Sequence, residues 1–310
     1  MDERLLGSTG LRVSPLCFGT SPLGSMPTIY GYDVAEDRAV ATVRRVLASP
    51  ITFIDTSNGY GLAEERIGRA LADAGDLPGG TVLATKIDPA PGQSDFSGRR
   101  ARESIAESRS RLGLDRFDLV YLHDPERITY EEAMGPGGPT EALEQLRDEG
   151  VIGHIGVAGG PVDLLRRYVA SGRFEVVITH NRWTLADRSA GVLLDEAGEA
   201  GVAVVNGAPF GGGIFVKGPG AHPMYAYRPA PAPVLEAIRA MEAACRKADV
   251  PLAAAALQFS LRERRIASTI IGFSSPERVE ETLELARWAI PDDLWAQLDG
   301  LAPAPETWLH

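Results

Sequence analysis

The chain has 310 residues, 44% of them apolar, with 42 acidic and 31 basic side chains and a formal charge of −11. That length suits one large α/β domain or two small ones, and the apolar share supports a substantial core. The acidic balance speaks against nucleic acid or an anionic membrane as the main partner, because both want a basic face, and no apolar run approaches the roughly 18 residues of a membrane span.

The segment Arg4 to Val13 reads as a hairpin around Ser8-Thr9-Gly10, short enough to need a larger body to cover. Leu16-Cys17-Phe18-Gly19-Thr20 follows as a buried strand, then a helix from Ala35 to Ala48 with Val40, Val43 and Leu47 on one face. Thr52-Phe53-Ile54 is a short strand that delivers Asp55. Turn chemistry in Ser57-Asn58-Gly59 leads to Tyr60, and a helix spans Ala63 to Asp73. Strands at Thr81 to Lys86, Phe117 to His123, Ile152 to Ala158, Val176 to His180, Val202 to Asn206 and Ile266 to Ile271 complete a set of eight. Helices are expected from about Ser97 to Leu112, Thr140 to Glu149, Val162 to Ala170 and Ser189 to Ala200. Four more follow, from about Pro233 to Lys247, Leu252 to Arg262, Pro276 to Trp288 and Pro291 to Leu301. The stretches 88–98 and 216–233, polar and rich in Pro and Gly, read as long surface loops.

Unbroken apolar strands alternating with helices predict a parallel sheet covered on both faces. Closure into a barrel is favoured, namely a TIM (β/α)8 barrel with the N-terminal hairpin over its bottom; an open doubly wound sheet is the alternative, disfavoured by the lack of G-x-G-x-x-G after the first strand. No linker or composition break splits the chain, so a single domain over residues 1–310 is expected. The N-terminus MDERLLGSTG has no apolar segment of a secretory signal, and Cys17 and Cys245 sit in apolar patterns that suit buried reduced thiols, so a cytoplasmic protein is expected. The five histidines show no paired spacing of metal ligands, and no metal is expected.

In a parallel barrel the ends of the second, third and fourth strands adjoin on the rim that carries catalysis. Asp55, Tyr60, Lys86 and His123 therefore converge. A free phenol ionises near pH ~10, too high for acid–base work at neutrality. An ammonium beside it favours the phenolate, a carboxylate pairs with and places the lysine, and a histidine can orient a substrate oxygen.

These residues resemble the aldo-keto reductases over nearly the whole chain. LGSTGLRVSPLCFGT is similar to that family's hairpin and first strand, and FIDTSNGYG, LATK and YLHDPE to its three catalytic segments. The resemblance implies a catalytic tetrad of Asp55, Tyr60, Lys86 and His123, with Tyr60 as general acid–base. It also implies a nicotinamide cofactor, NADP with NAD as the alternative, and assigns Gly19, Thr20 and Asp55 to its site. Ala158-Gly159 stand where the family usually has Ser-Asn, and His180 where it has Gln, for the carboxamide. Trp183 matches an aromatic that stacks on the nicotinamide. Ala208-Pro209-Phe210, with Gly212 and Gly213 in the glycine run, matches the loop over the pyrophosphate. IIGFSSPERVEET is similar to the adenosine-phosphate segment: Gly272 replaces a frequent lysine, Arg278 and Glu281 match positions near the 2′-phosphate and adenine, and Ser274 and Ser275 add hydrogen-bonding groups. The HDPE run and the APFGGGIF loop resemble the aldose 1-dehydrogenase branch, which implies oxidation of a D-threo-aldose such as L-fucose to a lactone. A broad aldehyde or ketone reductase, a pyridoxal dehydrogenase and a cofactor-binding regulatory subunit are the rival readings.

Overall fold

In the computed structural model, residues 2–75 and 77–309 are described. The N-terminal hairpin pairs β1 (Arg4–Leu5) with β2 (Arg12–Val13), antiparallel. The barrel strands are β3 (Leu16–Gly19), β4 (Phe53–Asp55), β5 (Val82–Ile87), β6 (Phe117–His123), β7 (Ile152–Gly159), β8 (Val176–His180) and β9 (Ala203–Gly207). A second small hairpin, β10 (Met224–Tyr225) with β11 (Arg228–Pro229), precedes the last barrel strand, β12 (Ile266–Gly272). The eight barrel strands are all parallel and close in the order β12-β3-β4-β5-β6-β7-β8-β9. The closed barrel settles the choice against an open sheet.

Each strand is apolar on both faces because both are covered. Cys17, Phe53, Val82, Ala84, Leu119, Tyr121, Val176, Ile178, Ala203 and Val205 fill the barrel interior. Their neighbours Leu16, Phe18, Ile54, Leu83, Val120, Leu122, Val177 and Val204 pack outward under the helices. Leu6 and Val13 of the N-terminal hairpin belong to the interior cluster, and Ser8 N–H donates to the Gly201 carbonyl at 3.1 Å, so the hairpin plugs the barrel end opposite the site.

The two stretches read as surface loops are partly structural. Asp88 and Phe96 in 88–98 are buried. In the second, Ile214–Lys217 is a short helix, the β10–β11 hairpin follows, and the Tyr225 hydroxyl reaches the Asn181 carbonyl at 2.9 Å. Glycine and proline content marked these segments as irregular, but an irregular path still runs inward where side chains such as Tyr225 have apolar partners.

Candidate active site

Strand period aims the site. On β4, Phe53 faces the barrel interior and Ile54 outward, so Asp55 faces in again. Lys86 stands two residues beyond inward Ala84, and His123 two beyond inward Tyr121. All three lie at the C-terminal ends of adjacent strands, and Tyr60 comes in from the loop after β4.

Lys86 Nζ donates to Asp55 Oδ2 and to the Thr56 carbonyl, each at 2.7 Å. The two side chains are 2% and 4% exposed, so the charges are paired out of water, which is tolerable only with such direct partners. The same ammonium lies 4.7 Å from the Tyr60 ring centre, and the Tyr60 and His123 rings meet edge to face at 5.5 Å. His123 is held through Nδ1 by Asp88 Oδ1 at 2.7 Å, while Asp124 Oδ1 lies 3.6 Å from its Nε2.

The electrostatics differ from expectation at one point. Burial, then the Asp55 and Asp88 carboxylates, push the Tyr60 phenol well above its ordinary value. The Lys86 charge is shared between Asp55 and the Thr56 carbonyl while it faces the ring, and burial with the carboxylates outweighs it at the phenol. Burial also raises Asp55, against the opposing charges of Lys86 and His123. For His123, burial opposes the charged form, but Asp88 by charge and hydrogen bond outweighs it, and the imidazole is raised. Burial works against the Asp88 carboxylate as well, yet His123, Ser57 and Gly59 hold it down at about 2.

A cleft of about 640 Å³ opens over these groups, within the range of small-molecule sites. Of the residues assigned to the cofactor, Gly19, Asp55, His180, Ala208, Pro209, Phe210, Gly212, Gly213, Gly272, Ser274, Arg278 and Glu281 line it, and Ala158 and Gly159 do too. Thr20, Trp183 and Ser275 do not. Thr20 is fully buried, its N–H donating to the Asp55 carbonyl at 3.0 Å, and Ser275 is the N-cap of the helix Pro276–Arg287.

Trp183 is the clearest displacement. The chain leaves β8 through Asn181 at φ 60, and Trp183 stacks on Phe259 at 5.6 Å with the Arg265 guanidinium 5.5 Å above it. It belongs to the packing between the barrel and the outer helices, away from the cleft.

Several departures from the family pattern have a steric cause. A Cβ on Gly272 would lie 2.7 Å from Pro22 Cγ, so a lysine there would need that loop to move. A Cβ on Gly159 would lie 2.8 Å from Glu126 Oε2, whose partner oxygen accepts from Gly160 N–H at 3.2 Å. His180 is lowered to about 4 by burial and then by Arg182, so its imidazole is neutral; its Nδ1 faces the Asn181 amide at 3.2 Å. Sequence reasoning missed Asp88 and Asp124 as members of the site. Asp124 stood in the YLHDPE segment and Asp88 opened the 88–98 stretch read as a loop, and the usable signal was a carboxylate one or two positions past an inward-facing strand residue.

The lining suits a dinucleotide. Gly211, Gly212 and Gly213 have φ of 60, 75 and 107; Gly212 and Gly213 line the cleft and put no side chain in a ligand's way, while the Gly211 and Gly213 N–H groups donate to the Ala208 and Phe210 carbonyls, each at 3.0 Å. Arg278 and Ser274 offer a cation and a hydroxyl at one end, and neutral His180 a polar contact near the catalytic groups.

The Aldo/keto reductase family pattern matches residues 15–303. The chain is 35% identical to L-galactose dehydrogenase of Arabidopsis thaliana, covering 91% of this chain and 87% of that one. It is 31% identical to D-threo-aldose 1-dehydrogenase of a Pseudomonas species over 96% of each chain, and 29% identical to pyridoxal 4-dehydrogenase of Microbacterium luteolum over 96% of each. A solved aldo-keto reductase of Bacillus halodurans in its holo form superposes with a TM-score of 0.78 at 25% identity, over 97% of this chain and 96% of that one. Agreement over nearly the full length shows that the chain belongs to the aldo-keto reductase family and is an NAD(P)-dependent oxidoreductase.

Proposed function

We propose that this enzyme oxidises the anomeric hydroxyl of an aldose to a lactone, with NADP as the preferred acceptor and Tyr60 as general acid–base. The observation that carries the reading is the composition of the cleft floor. Tyr60 and His123 stand together over the Lys86–Asp55 pair, and Asp124, Glu126 and His180 place ligand atoms within 4.8 Å of one another beside them. Such a polar rim suits a substrate with several hydroxyls, and the two aldose-oxidising relatives agree with it.

When bound, the oxidised nicotinamide supplies the hydride acceptor. Gly19, the 208–213 loop, Ser274 and Arg278 are the residues that would hold the dinucleotide. His123 presents Nε2 toward the substrate oxygen and fixes its position. Tyr60 exchanges a proton with that oxygen, and Lys86, anchored by Asp55, keeps positive charge at the ring as the phenol changes charge.

The raised phenol sets a sign. In the oxidising direction Tyr60 must accept a proton, so its phenolate is the working form and the rate should climb with pH for as long as His123 keeps its charge. In the reducing direction the neutral phenol is the donor, so the rate should be greatest at and below neutral pH. The protonated resting Tyr60 is the specific observation that favours the reverse reading, a carbonyl reductase.

Following nicotinamide absorbance with L-galactose, L-fucose, other aldoses, pyridoxal and simple aldehydes, in both directions and across pH, tests the assignment. Aldoses should be the best substrates, and Tyr60→Phe should lose ~10²–10⁴-fold in turnover. Turnover of aldehydes alone would replace the aldose reading with the reductase one, and a Tyr60→Phe enzyme within twofold of the parent would remove Tyr60 from its role.

A further inference from the structure

Asp88 lies outside the expected tetrad, yet it is the most completely anchored carboxylate at the cleft. It is 6% exposed. Its Oδ1 accepts from His123 Nδ1 at 2.7 Å, and its Oδ2 accepts from Gly59 N–H at 2.9 Å and from the Ser57 hydroxyl. The backbone is tethered too: Asp88 N–H donates to Ser104 Oγ at 3.2 Å, and the Asp88 carbonyl accepts from Arg100 Nε at 3.0 Å. Both partners, Ser104 as acceptor and Arg100 as donor, belong to the helix Gly98–Leu112. A Cβ on Gly59 would meet the Asp88 carboxylate at 2.8 Å, so glycine is needed for this approach.

We propose that Asp88 is a positioning residue for the reaction: its buried carboxylate holds His123 by Nδ1 in the doubly protonated form, so that Nε2–H donates a charge-assisted hydrogen bond to the substrate oxygen. A carboxylate at 2.7 Å fixes both the ring's rotation and its charge. A cationic donor stabilises the negative charge that develops on oxygen in either direction more strongly than a neutral imidazole does. It also explains how a phenol as reluctant as Tyr60 can serve, because the imidazolium shares the oxygen with it. The other charges around His123 do not decide its state. Asp124 faces Nε2 from the following residue, is partly exposed and adds a smaller raising charge; Lys86, paired with Asp55, adds a smaller lowering one; Tyr60 meets the ring edge uncharged; neutral His180 carries no charge. Removing Asp88 removes the one buried carboxylate bonded to the ring.

The inference rests on the reading of this cleft as an alcohol–carbonyl oxidoreductase site, but its test does not need the substrate. The probe is the His123 ring itself, followed by nitrogen NMR across pH and assigned with His123→Gln. In the parent, His123 should titrate above the ordinary ~6.5. In Asp88→Asn it should titrate lower by about 1–3 pH units. Turnover near pH 8 should fall about tenfold or more, with part of the loss recovered as pH drops below the new value. Losses in Asp88→Asn and His123→Gln should not add. A parent ring that titrates at or below 6.5 overturns the proposal without any variant, which covers the case of an Asp88→Asn protein that does not fold. A folded Asp88→Asn protein with an unmoved His123 titration overturns it as well, and reduces Asp88 to a brace for the 57–59 turn. Failure of every aldose in the substrate panel, with the His123 titration behaving as stated, would sink the sugar assignment and leave this one standing.

Discussion

Under the proposed NADP reading, Arg278 is the residue on which cofactor choice would turn. It lines the cleft half-exposed, and its guanidinium is paired with Glu281 at 3.2 Å one helical turn on. A 2′-phosphate would gain a charge-assisted contact to Arg278 and would meet the Glu281 carboxylate beside it. Losing such a contact costs about 1.5–3 kcal/mol, roughly ten- to more than a hundredfold in affinity. Arg278→Ala should therefore weaken NADP by that factor and leave NAD almost unchanged. Glu281→Gln should strengthen NADP severalfold, since an exposed charge of the same sign is worth about 0.2–1 kcal/mol. Calorimetric titration is the measurement of choice, because Trp183 lies off the cleft and gives no direct fluorescence report. Equal NAD and NADP affinities in the parent, unmoved by Arg278→Ala, would reassign the acceptor to NAD.

At the scale of elements, the catalytic strands were legible because a period of two ties an inward apolar residue to an inward polar one two positions later. Asp55, Lys86 and His123 follow that rule. Asp88 stands two positions past Lys86 but beyond the end of β5, where strand period no longer fixes direction by itself; the helix Gly98–Leu112 tethers its backbone, and Ser57, Gly59 and His123 hold its carboxylate. Trp183 failed for a related reason, since a linear match fixes a residue's place in the chain and the path of a loop decides which way it faces. Between β6 and β7 the fit is tight enough to test. Tyr121 fills the barrel under Lys86, 5.9 Å from its ammonium, and the opposing Gly156 leaves room for the ring. A Cβ on Gly156 would lie 2.3 Å from Tyr121 Cδ1. Gly156→Ala should destabilise by about 1–3 kcal/mol, as overpacking does, and lower turnover by tilting the floor beneath Lys86. Chemical denaturation reads the first effect and the nicotinamide assay the second. A variant with parental midpoint and rate would mean that the ring has space the geometry denies it.

For the whole molecule, the balance of buried acids makes alkaline pH the weak side. Burial raises the phenols of Tyr60, Tyr121 and Tyr168, and Tyr225 as well, in different parts of the fold. A group with a raised folded value contributes stability that is present below its unfolded value, ~10 for tyrosine, and is lost as pH rises toward the folded one. Each such phenol removes about 1.4 kcal/mol per pH unit in that interval, and several together should bring a steep fall in thermal midpoint above about pH 10. In the Asp88–His123 pair, Asp88 has the opposite sign to the phenols and His123 the same sign at lower pH. Asp88, held at about 2, contributes above its ordinary 3.8 and is lost on acidification; raised His123 contributes below 6.5 and is lost as pH climbs through its folded value. Tyr121 separates the phenol effect from general unfolding. Among the described residues its hydroxyl has no hydrogen-bond partner, and its ring is fully buried. Tyr121→Phe should leave stability at pH 7 near the parent's, because no bond is broken, and should flatten the fall above pH 10 by one tyrosine's share. Thermal unfolding of both proteins from pH 7 to 11 measures it; parallel curves would show that Tyr121 ionises as easily in the fold as out of it.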